Sequence, residues 1–369
     1  MTHAPDRATL ADASSNGLEG VVAAQTRLSE VNGSDGTLIL NGRRLEDLAG
    51  HLSFEAAIDH LWSGTVSTGS SQLNDLVKLL GRARQEAFAT VPVMLAETGS
   101  LSIVERLQVG LSALPISEDL PEAVAITGAF PVLVAAATRD SRGLLPIAPD
   151  PALPAAEDFL RLLCGETPEP WTVAALERYL VTVLDHGLNA STFTARVIAS
   201  TQANMKDAIL GAVGALKGPL HGGAPGPVLD MLDAIKRPDN AADWIASALA
   251  KGDRLMGFGH RIYRTRDPRA DVLKAGLAKV PKTDRLRLAE AVESEALSAL
   301  RKAKPDRVLE TNVEFYTAVL LHSIGLDRSL FTPVFAIGRA AGWCAHVVEQ
   351  QTTGKLIRPA SVYVGPLPV

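Results

Sequence analysis

From Leu45 to the neighbourhood of Gln351, apolar residues recur at intervals of three and four and almost never alternate. That period marks amphipathic helices, so most of the chain has to bury helical stripes against other helices. The runs cover Leu45–Leu48, Phe54–Leu61, Leu73–Leu80, Ile103–Leu114, Ala123–Thr138, Ala155–Leu163 and Val173–Leu184. Ser53 and Ser102 stand where N-caps belong. Proline-rich LLPIAPDPALP and the segment GETPEP break the pattern as loops. No alternation of strands and helices occurs, which excludes a doubly wound sheet, and nothing repeats at a fixed period. Two exceptions stand at the ends. Short alternating runs flank NGSDG within Gly20–Gly42 and predict a small β-hairpin. Leu356–Val364 reads as an extended tail. The fold class is all-α with an N-terminal hairpin and an extended C-terminal arm.

The length, 369 residues, suits two or three domains, and 47% hydrophobic residues against 21% charged suffice for a large core. A net charge of -5 gives no basic face for nucleic acid. Cys164 and Cys344 make neither a disulfide framework nor a metal-ligand spacing and are expected as small apolar residues in a reducing compartment. No apolar run approaches the roughly eighteen residues of a membrane helix. Residues 1–16 lack an apolar signal core and are expected to form a frayed tail. A cytoplasmic protein is the expectation.

Against that acidic background, Met256–Arg269 (MGFGHRIYRTRDPR) packs four arginines and one histidine beside two glycines. Guanidinium groups in such density either hold an anion or form a solvated basic loop. Three histidines lie next to glycine: His186 in DHGLNAST, His221 in KGPLHGGAPGP and His260. No pair has the i, i+4 spacing of a helical zinc motif and there is no HExxH, so no metal site is expected. Each taken alone fits a structural histidine; together, at turns where a ligand can approach backbone closely, they point to a site. Asp267-Pro268 opens a helix, with Arg269 in its first turn and able to reach back. Asn312 or Thr311 caps a helix that runs to Gly325, with Glu314 in its first turn. Acidic residues are common there for dipole reasons; the alternative is a general base. Arg339 sits inside the apolar helix Phe331–Gln351 and needs an anionic partner, from the chain or from a substrate carboxylate. Arg358 lies in the extended tail.

In their order and spacing, GLEGVVAAQTRLSEVNG, HGLNASTFTARV, GPLHGGA, GFGHRIYRTRDPRA, NVEFYTAVLL, FAIGRAAGW and LIRPASVYVG resemble the citrate synthase family over most of the chain. The resemblance implies a nearly all-helical homodimer with a large domain (17–221 and 320–369), a small domain (222–319) and a cleft between them. It implies oxaloacetate held by His186, His260, Arg269 and Arg339, with Arg358 completing the partner subunit's site. Arg261, Arg264, Arg307 and Lys355 would face the phosphates of CoA. Glu314 would take a proton from acetyl-CoA, His221 would donate to the thioester oxygen, and His260 would protonate the ketone. No cofactor would be bound permanently; acetyl-CoA is a co-substrate. The chain departs from the family at Glu314, where aspartate is usual, at Thr311 for proline, at Ala360 for arginine, and at Asn41-Gly42-Arg43 for RGY. The same residues would serve a 2-methylcitrate synthase using propionyl-CoA, and a non-catalytic binder of CoA or dicarboxylate is the alternative of a different class.

Overall fold

The computed structural model describes all residues except 1–16, 19, 70–71, 224, 261 and 367–369. The expected N-terminal tail and Arg261 therefore lie outside the described residues. Three short strands, β1 (Ser29–Asn32), β2 (Thr37–Leu40) and β3 (Arg43–Arg44), form an antiparallel sheet in that order. Fifteen α-helices follow among the described residues. They are α1 (Phe54–Trp62), α2 (Leu73–Phe88), α3 (Val91–Leu95), α4 (Ile103–Ala113), α5 (Glu122–Ser141), α6 (Ala155–Cys164), α7 (Pro170–Thr182) and α8 (Ala190–Ala199). Then come α9 (Met205–Leu216), α10 (Gly226–Ile235), α11 (Ala241–Ala250), α12 (Pro268–Leu277), α13 (Asp284–Ala303), α14 (Val313–Ser323) and α15 (Phe331–Thr353).

The all-α reading holds, with three corrections. Leu45–Asp47 closes as a single 3-10 turn and not as an α-helix. The hairpin gains a third strand, because Asn41 and Gly42 both take positive φ, +43° and +85°. That is the two-residue turn which Asn-Gly favours, and it accounts for Asn41-Gly42 where the family has RGY. The third correction concerns α5, which by length and composition is apolar enough to cross a bilayer, yet 89% of its apolar stretch is buried inside the protein.

Two long helices carry the core. Ala123–Thr138 of α5 is buried without a break, as is nearly all of Phe331–Gln350 in α15. A helix apolar all round has to sit inside others, and α2, α4, α6 and α15 pack around α5. The caps stand where the residue types required them: Ser53 Oγ accepts the Ala56 N–H, and Ser102 with Glu105 completes a capping box. Helices α10 to α14 pack among themselves, and α12 and α14 also lie against α7. After α15 the chain runs exposed and without regular structure, as the extended-arm reading expects.

Candidate active site

The basic loop and the Glu314 helix are joined through their main chains. Phe258 and Thr311 form an antiparallel bridge, Gly259 N–H donates to Glu310 O at 2.8 Å, and Asn312 N–H donates to Gly257 O at 2.9 Å. Asn312 Nδ2 adds a bond to Gly259 O at 2.7 Å while its Oδ1 caps α14 through Glu314 N–H. The two glycines are explained by this pairing. Both have positive φ, and a Cβ on Gly257 would come within 2.8 Å of the Phe315 Cβ. The antiparallel pairing fastens the basic loop to the start of α14, with His260 two residues after Phe258 and Glu314 three after Thr311.

Helix α12 starts as expected. Asp267 accepts the Arg269 N–H as N-cap, and its carboxylate also takes Arg269 Nε at 3.0 Å and Nη2 at 2.9 Å. The second carboxylate oxygen receives the Val313 N–H at 3.0 Å, so Asp267 ties α12 to α14. Burial alone would lower the Arg269 pKa; the Asp267 carboxylate beside it outweighs that and raises it. Arg269 Nη2 then lies 3.0 Å from His260 Nε2. The other ring nitrogen, Nδ1, accepts the Ile262 and Tyr263 N–H groups at 3.0 and 3.1 Å. A neutral imidazole has one lone-pair nitrogen, so the proton sits on Nε2 and two donors face each other there. An acceptor oxygen placed between them resolves that mismatch.

His186 packs edge-on to His260, with ring centroids 6.1 Å apart, and its Nε2 lies 3.1 Å from Tyr263 Oη. His221 sits in the turn between α9 and α10, with Nε2 2.9 Å from Ser191 Oγ. That hydroxyl also meets Asn189 Oδ1 and the Trp343 indole N–H. All three histidines are held neutral. Burial is the main cause, and the positive charge of Arg339 or Arg269 adds to it; His221 and His260 fall to about 4, and His186 lies well below its usual value.

Arg339 is 1% exposed. Its Nε donates to Val183 O at 2.5 Å, its guanidinium lies 4.9 Å from the Phe335 ring centre, and its Nη1 has no hydrogen-bond partner. No carboxylate lies within ion-pair distance of it among the described residues. Burial lowers its pKa to about 10. Glu314 is pushed up to about 7, chiefly by burial, with the nearby Asp267 adding to it and the charges of Arg269 and Arg339 opposing it. Arg339 acts electrostatically on His186, His221 and Glu314, and Arg269 on His186, His260 and Glu314. His186, His221, His260, Arg269, Glu314 and Arg339 therefore share one cluster, in which His186, Arg269 and Arg339 are buried and the other three half-buried.

The remaining candidates fall elsewhere. Arg264 and Arg307 are exposed on the loops that flank the main-chain pairing; Lys355 and Arg358 are exposed on the C-terminal arm. Within one chain Arg358 makes no recorded contact with that cluster. Arg266, which had no expected task, is paired with Glu46 and Asp271. Sequence reasoning missed Ser191, Tyr263, Asp267 as a bidentate partner, and a buried network beneath His186. In that network Arg196 meets Glu349 and His346, and His346 Nε2 lies 3.1 Å from Asp185 Oδ1. The one available signal was a charged residue inside an apolar helix, as with Arg339.

The family model described as citrate synthase, C-terminal domain, matches residues 17–360. Citrate synthase 2 of Bacillus subtilis is 36% identical, over 95% of both chains. A 2-methylcitrate synthase of Mycobacterium tuberculosis is likewise 36% identical, over 95% of this chain and 90% of its own. Among solved structures, the ternary complex of carboxymethyl coenzyme A and oxaloacetate with citrate synthase from the archaeon Thermoplasma acidophilum superposes with a TM-score of 0.81. It is 27% identical and covers 96% of each chain. The chain therefore belongs to the citrate synthase family, whose members are condensing acyltransferases acting on CoA thioesters.

Proposed function

We propose that this protein is a citrate synthase that condenses acetyl-CoA with oxaloacetate and water to give citrate and CoA. The observation that carries the reading is the buried guanidinium of Arg339, without a counter-ion and with Nη1 unbonded, beside Arg269 and three neutral histidines. A buried cation without a counter-ion is costly, and a dicarboxylate substrate supplies the missing charge. Planar guanidinium forks suit its carboxylates. His186, His260, Arg269 and Arg339 hold oxaloacetate, with its ketone oxygen at His260 Nε2, where the ring proton already points.

Glu314 removes a proton from the acyl methyl group. A carboxyl raised to about 7 is matched to that work near neutrality. The negative charge that develops on the thioester oxygen is met by His221. Asn189 Oδ1 already accepts the Ser191 and Thr192 N–H groups. The Ser191 hydroxyl lies within reach of both Asn189 Oδ1 and His221 Nε2; turned from the first to the second, it leaves the ring proton on Nδ1 for the thioester. The enol carbon then attacks the ketone carbon, the alkoxide takes the His260 proton, and water cleaves citryl-CoA to citrate and CoA. Arg264, Arg307 and Lys355, with Arg261, meet the CoA phosphates. Residues 222–319 form the small domain and close on 17–221 and 320–369. Two copies make a dimer in which Arg358 of each completes the other's site.

The equal identity to a 2-methylcitrate synthase supports a second reading with propionyl-CoA. One methylene in an apolar pocket discriminates by only about 1–3 kcal/mol. Thiol release, measured with acetyl-CoA and with propionyl-CoA in the presence of oxaloacetate, decides. A higher kcat/KM for acetyl-CoA is expected. A higher kcat/KM for propionyl-CoA overturns the citrate assignment, and no release from either thioester, with both ligands bound, removes the enzyme reading.

A further inference from the structure

We propose that the N-terminal hairpin is a rigid spacer that sets the distance between the two oxaloacetate histidines, His186 and His260. The proposal rests on the assignment of both to the oxaloacetate site. At the near end of β1, the Ser29 hydroxyl donates to Asp185 Oδ2, the residue before His186. Ser29 Oγ in turn accepts the N–H of Gly187, the residue after His186, at 3.0 Å. At the far end, Gly33 O accepts the Arg264 N–H at 2.8 Å. A Cβ on Gly33 would come within 2.4 Å of the Ile262 carbonyl oxygen, so the hairpin tip touches the loop with no room for a side chain. Ile262 and Tyr263 are the residues whose N–H groups hold His260 Nδ1. One strand thus grips the residues on both sides of His186 and rests on those that orient His260.

The tip cannot absorb a shift. Asn32 Oδ1 accepts the Ser34 and Asp35 N–H groups, both at 3.0 Å, and its Nδ2 donates to Asp35 Oδ2 at 2.9 Å. Gly36, at φ +63°, is also pressed on the loop: a Cβ there would meet Thr265 Oγ1 at 2.6 Å and Arg266 O at 2.8 Å. A paired strand with a closed turn has little compliance along its axis. The side chains that meet oxaloacetate must be held to within about 1 Å, since larger misplacement is costly in rate. Ser29 and Gly33 are positioning residues in this sense.

The test compares Gly33→Ala, Ser29→Ala and Gly42→Ala with the wild type. Gly42 lies in the other turn of the sheet, also at positive φ, but open space surrounds it; Gly42→Ala strains the sheet without touching either loop. Gly33→Ala should raise the KM for oxaloacetate about tenfold, equivalent to about 1.4 kcal/mol. The KM for the acyl-CoA should rise by a smaller factor, because Gly33 holds only the main chain of Arg264, whose side chain is exposed. Ser29→Ala should raise the oxaloacetate KM by a smaller factor. Calorimetric titration with oxaloacetate alone, and hydrogen exchange at Ile262, Tyr263 and Arg264 without ligand, should move in parallel for Gly33→Ala. Unchanged oxaloacetate affinity and exchange in Gly33→Ala would overturn the proposal, and so would an equal effect from Gly42→Ala. Should Gly33→Ala not fold, Ser29→Ala against Gly42→Ala carries the same comparison. A wild type that binds no oxaloacetate would instead defeat the assignment on which the proposal rests.

Discussion

Glu314 is where charge, burial and chemistry meet in a single side chain. Its carboxyl is raised to about 7, above the ordinary glutamate value, so the protonated form is favoured in the native state. Between the unfolded and folded pKa values the native state binds more protons than the unfolded one, and stability falls as pH rises through that window. Above about 7 the loss is complete and amounts to about 3 kcal/mol at about 1.4 kcal/mol per pKa unit. Glu314→Gln does not titrate. Relative to wild type it should therefore be more stable at pH 8 than at pH 5, while its kcat falls by about 10² or more with oxaloacetate affinity nearly intact. Denaturant unfolding at the two pH values and steady-state kinetics check both. A pH-independent stability difference would mean that Glu314 is not held at a raised pKa. Near-wild-type turnover would remove it as the base.

Helices α8 and α15 are joined beneath the site by Arg196 and Glu349, of which Arg196 is 1% exposed. Arg196 Nη1 lies 3.3 Å from His346 Nδ1, and the other ring nitrogen of His346 lies 3.1 Å from Asp185 Oδ1. The pair thus reaches the backbone around His186. Removing one charge leaves the other buried without its counter-charge. Glu349→Leu should destabilise the protein by about 3–5 kcal/mol, and combining it with Arg196→Met should recover most of that loss, because no uncompensated charge is then left buried. Urea unfolding of the two single variants and the double variant measures the coupling. Equal destabilisation in Glu349→Leu and the double variant would show that packing, and not the unpaired charge, sets the cost. Helix starts needed no such tertiary help: Ser53, Ser102, Asn312 and Asp267 each cap the helix that follows.

At the scale of the whole molecule, the proposed dimer makes a prediction that one chain cannot satisfy. Arg358 stands exposed on the C-terminal arm, outside the site cluster of its own chain. If each arm completes the partner's site, homodimers of Arg358→Ala and of Glu314→Gln are both strongly impaired. Mixed dimers formed from equal amounts of the two regain one intact site. Random reassociation then restores about a quarter of wild-type activity, from half the molecules with one of two sites each. Coupled assay after subunit exchange reads this directly. Recovery no greater than the sum of the parents would show that Arg358 does not act across the interface.

Much of this protein was legible before folding was considered. The helical period, the turn at NGSDG and the caps are local, and local sterics and hydrogen bonding decide them. His186, His221, His260, Arg269, Glu314 and Arg339 could also be singled out as candidates, as unusual residue types beside glycine, at helix starts or inside an apolar helix. Tertiary structure alone decided what surrounds them. The main-chain bridge of Phe258 with Thr311 joins segments distant in sequence, and no periodicity announces it. Asp267 could be read as a cap but not as the carboxylate that grips Arg269 and α14 together. Whether Arg339 met a protein carboxylate or kept its charge for a ligand was open in the sequence. Only packing settles such a question, because an arginine's partner depends on which helices meet and not on its neighbours along the chain.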